Sequence, residues 1–236
     1  MRRPGRRPLR FGSAQIESPK TVFGSSLELW LRGDMGITLN GSNVSAWADQ
    51  SKNALVLSQG TAANQPAFVS SDAAYSSRPL VSSTLTTQFL VATVGLVLAQ
   101  PTSIFLVGES STLSGTFFAS GDSTNNGWLM LNSGNSLQAF AGVGLSDTTI
   151  NTPRVSLAIF NGASGFAGAS DWLSGGTSGN TGATGTIKFA TGAYNDGLFG
   201  SVCKIAEVAV ISAAVSTAQK QSMAAYFSSR YGITIT

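Results

Sequence analysis

The sequence predicts an all-β protein, an antiparallel two-sheet sandwich closed by one C-terminal helix. Three observations carry that expectation. Short apolar and β-branched runs recur at about the 8–12-residue rhythm of a sandwich. Clusters such as Gly121-Asp122-Ser123-Thr124-Asn125-Asn126 and Asn132-Ser133-Gly134-Asn135 separate them and carry turn chemistry. The segment from Gly197 to Ile233 reads as a long strand, a tight link and a closing helix.

Met1 to Gly24 reads as an extended arm, because Arg-Arg-Pro-Gly-Arg-Arg-Pro suits neither a helix nor a central strand. The domain proper is expected over residues 25–236. Leu27 to Leu31 is its first strand, and Arg32-Gly33-Asp34 follows as a turn. Val44 to Asp49 and Ala54 to Leu57 read as short strands, which places Trp30 and Trp47 in the core. Phe89-Leu90-Val91 and Leu96-Val97-Leu98 read as a strand pair around Gly95. Thr102 to Val107, with Ile104, Phe105, Leu106 and Val107 in a row, is the expected central strand. Gly115 to Ser120, Gly127 to Leu131 and Ser136 to Ala141 continue the rhythm. Val155, Leu157 and Ile159 alternate with Ser156 and Ala158, as on a strand with one buried face. Asn161-Gly162 then signals a hairpin. Asp171 to Gly185 is the most loop-like interior stretch. Trp172 inside it either tucks back onto the sandwich or marks a contact surface.

From Val202 to Ile211 nearly every residue is apolar or small, and β-branched residues dominate, which predicts a strand buried on both faces. Glu207 interrupts the run and must reach a partner or an edge, because an unpaired carboxylate there would cost several kcal/mol or so. Ser216-Thr217-Ala218-Gln219 matches a capping box and opens a helix. Met223, Tyr226, Phe227 and Tyr231 recur at helical spacing as one apolar face. Arg230 suits the last turn, and Gly232 is the stop.

These residues resemble a family. G-x-V-x-K-I-A-E-V, then Ser-Thr-Ala-Gln, then A-A-Y-F-S-S-R-Y-G-I is similar to the C-terminal signature of concanavalin A-like (laminin G-like) jelly-roll domains, which bacteria and phages carry. Leu27-Glu28-Leu29-Trp30-Leu31, Val44 to Ser51, Gln65-Pro66-Ala67-Phe68 and Arg78-Pro79-Leu80 resemble its earlier motifs. The resemblance runs from Leu27 to Ile233. It implies a jelly roll of two antiparallel sheets packed face to face, and no single activity, because lectins, glycanases and structural modules share the fold.

Charged residues make up 11% of the 236-residue chain, against roughly 25% in an ordinary domain. The surface is therefore expected to be covered by Ser, Thr, Asn and Gly or by neighbouring subunits. The net charge of +3 hides an asymmetry. Arg2, Arg3, Arg6, Arg7 and Arg10 lie in the first ten residues, so the remainder is mildly acidic. The arm lacks the apolar core of a secretory signal. The longest apolar stretch, Phe89 to Ala99, is shorter than the roughly 20 residues that cross a bilayer. Cys203 falls in the buried strand as a small core hydrophobe. With no histidine in the chain, His-based acid–base chemistry and most zinc sites are excluded.

Glycanases of this fold place two carboxylates on one strand, as in Glu-x-Asp-x-x-Glu, and no Glu-x-Asp occurs here. No catalytic residue is expected, and no cofactor. Calcium stays open, with Asp122, Asp147, Asp171 and Asp196 as available loop carboxylates. Two non-enzymatic readings result. The first is a structural protein of a phage virion, a capsid-decoration or tail protein within an oligomeric assembly. In it the five arm arginines grip carboxylates of neighbouring capsid or tail subunits. The second is a lectin-like module whose aromatics Trp128, Trp172 and Tyr194 stack on host or cell-surface glycans. Nucleic-acid binding by the arm ranks below both.

Overall fold

The computed structural model describes residues 17–111, 114–121, 129–133, 136–149, 153–185, 188–194 and 196–236. Arg2, Arg3, Arg6, Arg7, Arg10, Asp122 and Trp128 lie outside the described residues. Every strand pairing among those described is antiparallel, and the strands fold into a β-sandwich.

The front sheet runs in the order Leu27–Arg32, Cys203–Ile211, Thr102–Ser110, Arg154–Phe160, Gly165–Ala169, Thr177–Gly179. The back sheet runs Gly144–Thr149, Ser136–Phe140, Leu129–Ser133, Ser114–Ala119, Ala190–Thr191, Leu90–Ala92, Val56–Ser58, Asn43–Ala48, Ile37–Asn40. Ala67–Asp72 and Arg78–Ser83 join the two, one pairing with Asn43 and the other with the start of the closing strand. The predicted strand at Leu96 to Leu98 does not form. That segment pairs with no strand among the described residues, although Leu96 and Leu98 still pack on the core. Two segments read from sequence as arm and loop carry structure. Pro19–Phe23 is a turn of helix with Phe23 buried, and Asp171 to Gly185 contains the short strand Thr177–Gly179.

Front-sheet alternation supplies two cores. Leu29, Leu31, Ile104, Leu106, Val208 and Val210 face the back sheet, where Trp47, Leu57, Phe117 and Met130 meet them. Trp30, Phe105, Val107, Ala209 and Ile211 face the other way, onto the helix Thr217–Tyr231. The central and closing strands are thus buried on both faces, as their unbroken apolar runs require. Phe105 is the hub of the second core, with ring centroids 5.7 Å from Phe227, 6.1 Å from Phe23 and 5.5 Å from Trp172. The helix has the predicted ends. Ser216 and Gln219 form the capping box, and Gly232 closes the C-terminus in the left-handed region at φ 68°.

Glu207 fastens this helix to the sheet. A register shift between Ile205 and Glu207 marks a bulge, which turns Ala206 and Glu207 to the same face. The carboxylate is fully buried there. Trp30 Nε1 donates to it at 2.6 Å, Tyr231 at 2.7 Å and Tyr226 at 3.0 Å. Arg230 Nε lies 3.6 Å away and carries the charge outward, its Nη2 donating to Asp34 at 2.7 Å. Asp34 in turn holds Arg32 at 2.6 Å, so the Arg32-Gly33-Asp34 turn is tied to the end of the helix.

Burial pushes the Glu207 carboxyl above its ordinary value of 4.5, against the opposing pull of Tyr231, Trp30, Arg230 and Tyr226. A carboxyl raised in the folded state stabilises fully below the unfolded value, and that contribution is lost as pH climbs toward the folded one. Unfolding of wild type and Glu207→Gln in urea across pH 4.5–8 should therefore show a loss of stability with rising pH that is missing from the variant. Parallel profiles would contradict it.

Candidate functional site

The sequence-predicted aromatics part company in the structure. Trp172 is not a contact residue. It is 1% exposed, its Nε1 donates to the Val155 carbonyl at 2.9 Å, and its ring meets the Phe105 edge. The loop that carries it folds back because this Trp fills the second core and its indole N–H finds a partner there.

Tyr194 is buried, and it backs the exposed member of an aromatic pair. Its ring lies 4.9 Å from that of Phe199, and Phe199 is 62% exposed. Behind Tyr194 are Ala119 and Phe140 of the back sheet. Burial first, and then the Asp196 carboxylate, push the Tyr194 phenol above its usual value. The Tyr194–Leu198 turn is closed by two backbone bonds of 2.9 Å, and Asp196 Oδ1 accepts from the Leu198 amide at 3.1 Å.

Phe199 has φ 52°, a left-handed backbone that bulky L-residues avoid. The segment is fixed from both sides. Its carbonyl accepts from Thr116, and a Cβ at Gly200 would overlap the Thr86 carbonyl. The 84–89 loop therefore packs directly beside this turn, and Leu85 and Leu198 are 56% and 53% exposed. A strained backbone that holds a large ring in solvent is characteristic of functional positions. Sequence inspection passed over Phe199. The available signal was two large apolar residues, Leu198 and Phe199, bracketed by glycines at 197 and 200.

The remaining calcium candidates are occupied otherwise. Asp147 and Asp171 both accept from the Ala169 amide at 3.1 Å, and Asp147 also takes the Thr177 hydroxyl at 3.2 Å. Their charge faces Arg154, whose guanidinium burial lowers to about 10 while the two carboxylates pull it back up. Among the described residues no three metal-ligating side chains cluster, and no helix is long and apolar enough to cross a membrane. Cys203 is buried, and burial pushes its thiol up to about 12.

No family model matches the chain, and no curated protein matches it. Solved structures do resemble it. Trypanosoma rangeli sialidase in complex with sialic acid aligns at TM-score 0.59 and 9% identity, over 89% of this chain and 34% of that one. The receptor-binding domain of botulinum neurotoxin type G aligns at 0.57 and 9%, over 84% and 51%. Domain 4 of AbnA, a GH43 extracellular arabinanase from Geobacillus stearothermophilus, in complex with arabinotriose, aligns at 0.54 and 14%, over 82% and 96%. The chain spans about a third of the sialidase and nearly all of the arabinanase domain. At these identities the likeness establishes the β-sandwich fold and nothing finer.

Trp172→Ala should cost about 3–5 kcal/mol in urea unfolding, as a core truncation does. Phe199→Gly should leave stability unchanged or raise it by up to about 1 kcal/mol, because glycine accepts the left-handed backbone freely. A small effect at Trp172 with a large loss at Phe199 would reverse their assigned roles.

Proposed function

We infer that the chain is a non-catalytic carbohydrate-binding module, with Phe199 and Tyr194 as its sugar-stacking platform. The Phe199 ring carries the reading: it is exposed, backed by a second aromatic, and held out by a backbone that opposes it. A pyranose has one face of C–H groups, and that face packs on an aromatic ring. The arabinanase domain bound to arabinotriose, the sialidase bound to sialic acid and the neurotoxin receptor-binding domain support a ligand-facing role for this sandwich. Glu207, the carboxylate of the closing strand, is fully buried under its donors and offers no reaction to a bound sugar.

On a glycan array the full chain should bind a defined set of oligosaccharides. Phe199→Ala should weaken the best of them by up to about tenfold, as expected for one aromatic contact of about 0.5–1.5 kcal/mol. Its thermal midpoint should hold. An empty array, or full binding by the variant, would refute the reading.

One observation favours a second role, attachment to a larger assembly such as a phage virion: five arginines stand in the first ten residues. Deleting residues 1–12 should abolish incorporation into particles while the thermal midpoint of the domain is kept. Unchanged incorporation would remove this role.

A further inference from the structure

The end of the sandwich that carries Phe199 also holds a cavity of about 360 Å³. Its wall forms where three strands stop side by side. Cys203 pairs with Ser83 on one edge and with Ser110 on the other, and Lys204 lies across from Glu109. Val202 and Cys203 give the lining apolar surface, and serines, Glu109 and Lys204 set polar groups into it. Ser110 is buried, with its Oγ 2.7 Å from Ser201 Oγ and 3.1 Å from the Val202 carbonyl it donates to. Lys204 Nζ sits 2.9 Å from Asp72 and 3.0 Å from Glu109. One ammonium between two carboxylates leaves this corner with a net charge of −1.

The cavity and the aromatic platform share a stretch of chain. Val202 in the wall is three residues beyond Phe199, at most about 10 Å of extended backbone. Backbone bonds pin the stretch, Thr116 N–H to the Phe199 carbonyl at 3.1 Å and Ser111 N–H to the Val202 carbonyl at 3.0 Å.

We propose that this cavity is a second subsite of the same binding site, one that takes a neutral sugar unit while the adjoining unit of the oligosaccharide stacks on Phe199. The proposal rests on the carbohydrate-binding reading above. Sugar hydroxyls both donate and accept, which suits serine hydroxyls, the free lone pairs of Glu109 and the third proton of the Lys204 ammonium. A carboxylated sugar such as sialic acid is selected against. Its charge would meet a net negative corner whose one cation is already engaged by two carboxylates.

The test uses the full chain on an array of neutral and sialylated oligosaccharides, followed by calorimetric titration with the best neutral hit and with its terminal monosaccharide. Ser111 lies at the cavity and is exposed, so Ser111→Trp fills the space with little disturbance of the fold. Neutral oligosaccharides should bind and their sialylated forms should bind at least tenfold more weakly. Ser111→Trp should weaken the oligosaccharide by tenfold or more and leave the monosaccharide within about twofold. Full oligosaccharide affinity in Ser111→Trp, with loss in Phe199→Ala, would overturn the subsite and spare the platform. Equal binding of sialylated and neutral members would overturn the charge selection. Binding of no glycan at all would overturn platform and subsite together.

Discussion

A carboxylate with no exposure to water sits where the closing strand meets the closing helix, and the architecture is arranged around keeping it satisfied. Desolvating an ionisable group is expensive unless donors surround it. Glu207 has an indole from the first strand, two phenols from the helix and a guanidinium behind them. Those four groups come from both ends of the domain. Trp30 belongs to the opening strand, whereas Tyr226, Arg230 and Tyr231 belong to the last helix. The bulge that aims the side chain also lets Val208 and Val210 stay in the inter-sheet core. Removing the carboxylate would leave three buried donors unpaired, each costing about 1–3 kcal/mol.

The helix, Phe23 and Trp172 cover the outer face of the front sheet, so that face cannot take a ligand without undocking them. At one end of the sandwich the 84–89 loop packs against the stretch 197–200. There Phe199 combines a left-handed backbone with a ring exposed to water.

Sequence pattern exposed whatever depends on near neighbours. Ser216 with Gln219 and Gly232 announce the helix ends because capping acts within four residues. The run from Val202 to Ile211 announces a doubly buried strand by composition alone. Residues whose roles depend on distant partners stayed hidden. Glu207 could be seen to need partners, but Trp30 lies 177 positions away. Trp172 read from sequence as tucked back or at a contact surface, and the Val155 carbonyl and the Phe105 ring hold it in the core. Leu96 to Leu98 has strand-like composition but forms no strand among the described residues, which composition cannot reveal. Half of the candidate site was visible in Tyr194. Phe199 was not, because its distinction is a left-handed backbone angle and an exposure that only the folded chain shows.

The most direct test of this account is amide hydrogen exchange in wild type and Glu207→Leu, compared element by element. If the buried carboxylate is the fastening between helix and sheet, amides of Thr217–Tyr231 should exchange at least about tenfold faster in the variant, the equivalent of losing one such donor set. Those of the back-sheet strand Asn43–Ala48, which does not touch the helix core, should change far less. Helix amides that keep their protection, or a uniform acceleration across both sheets and the helix, would contradict it.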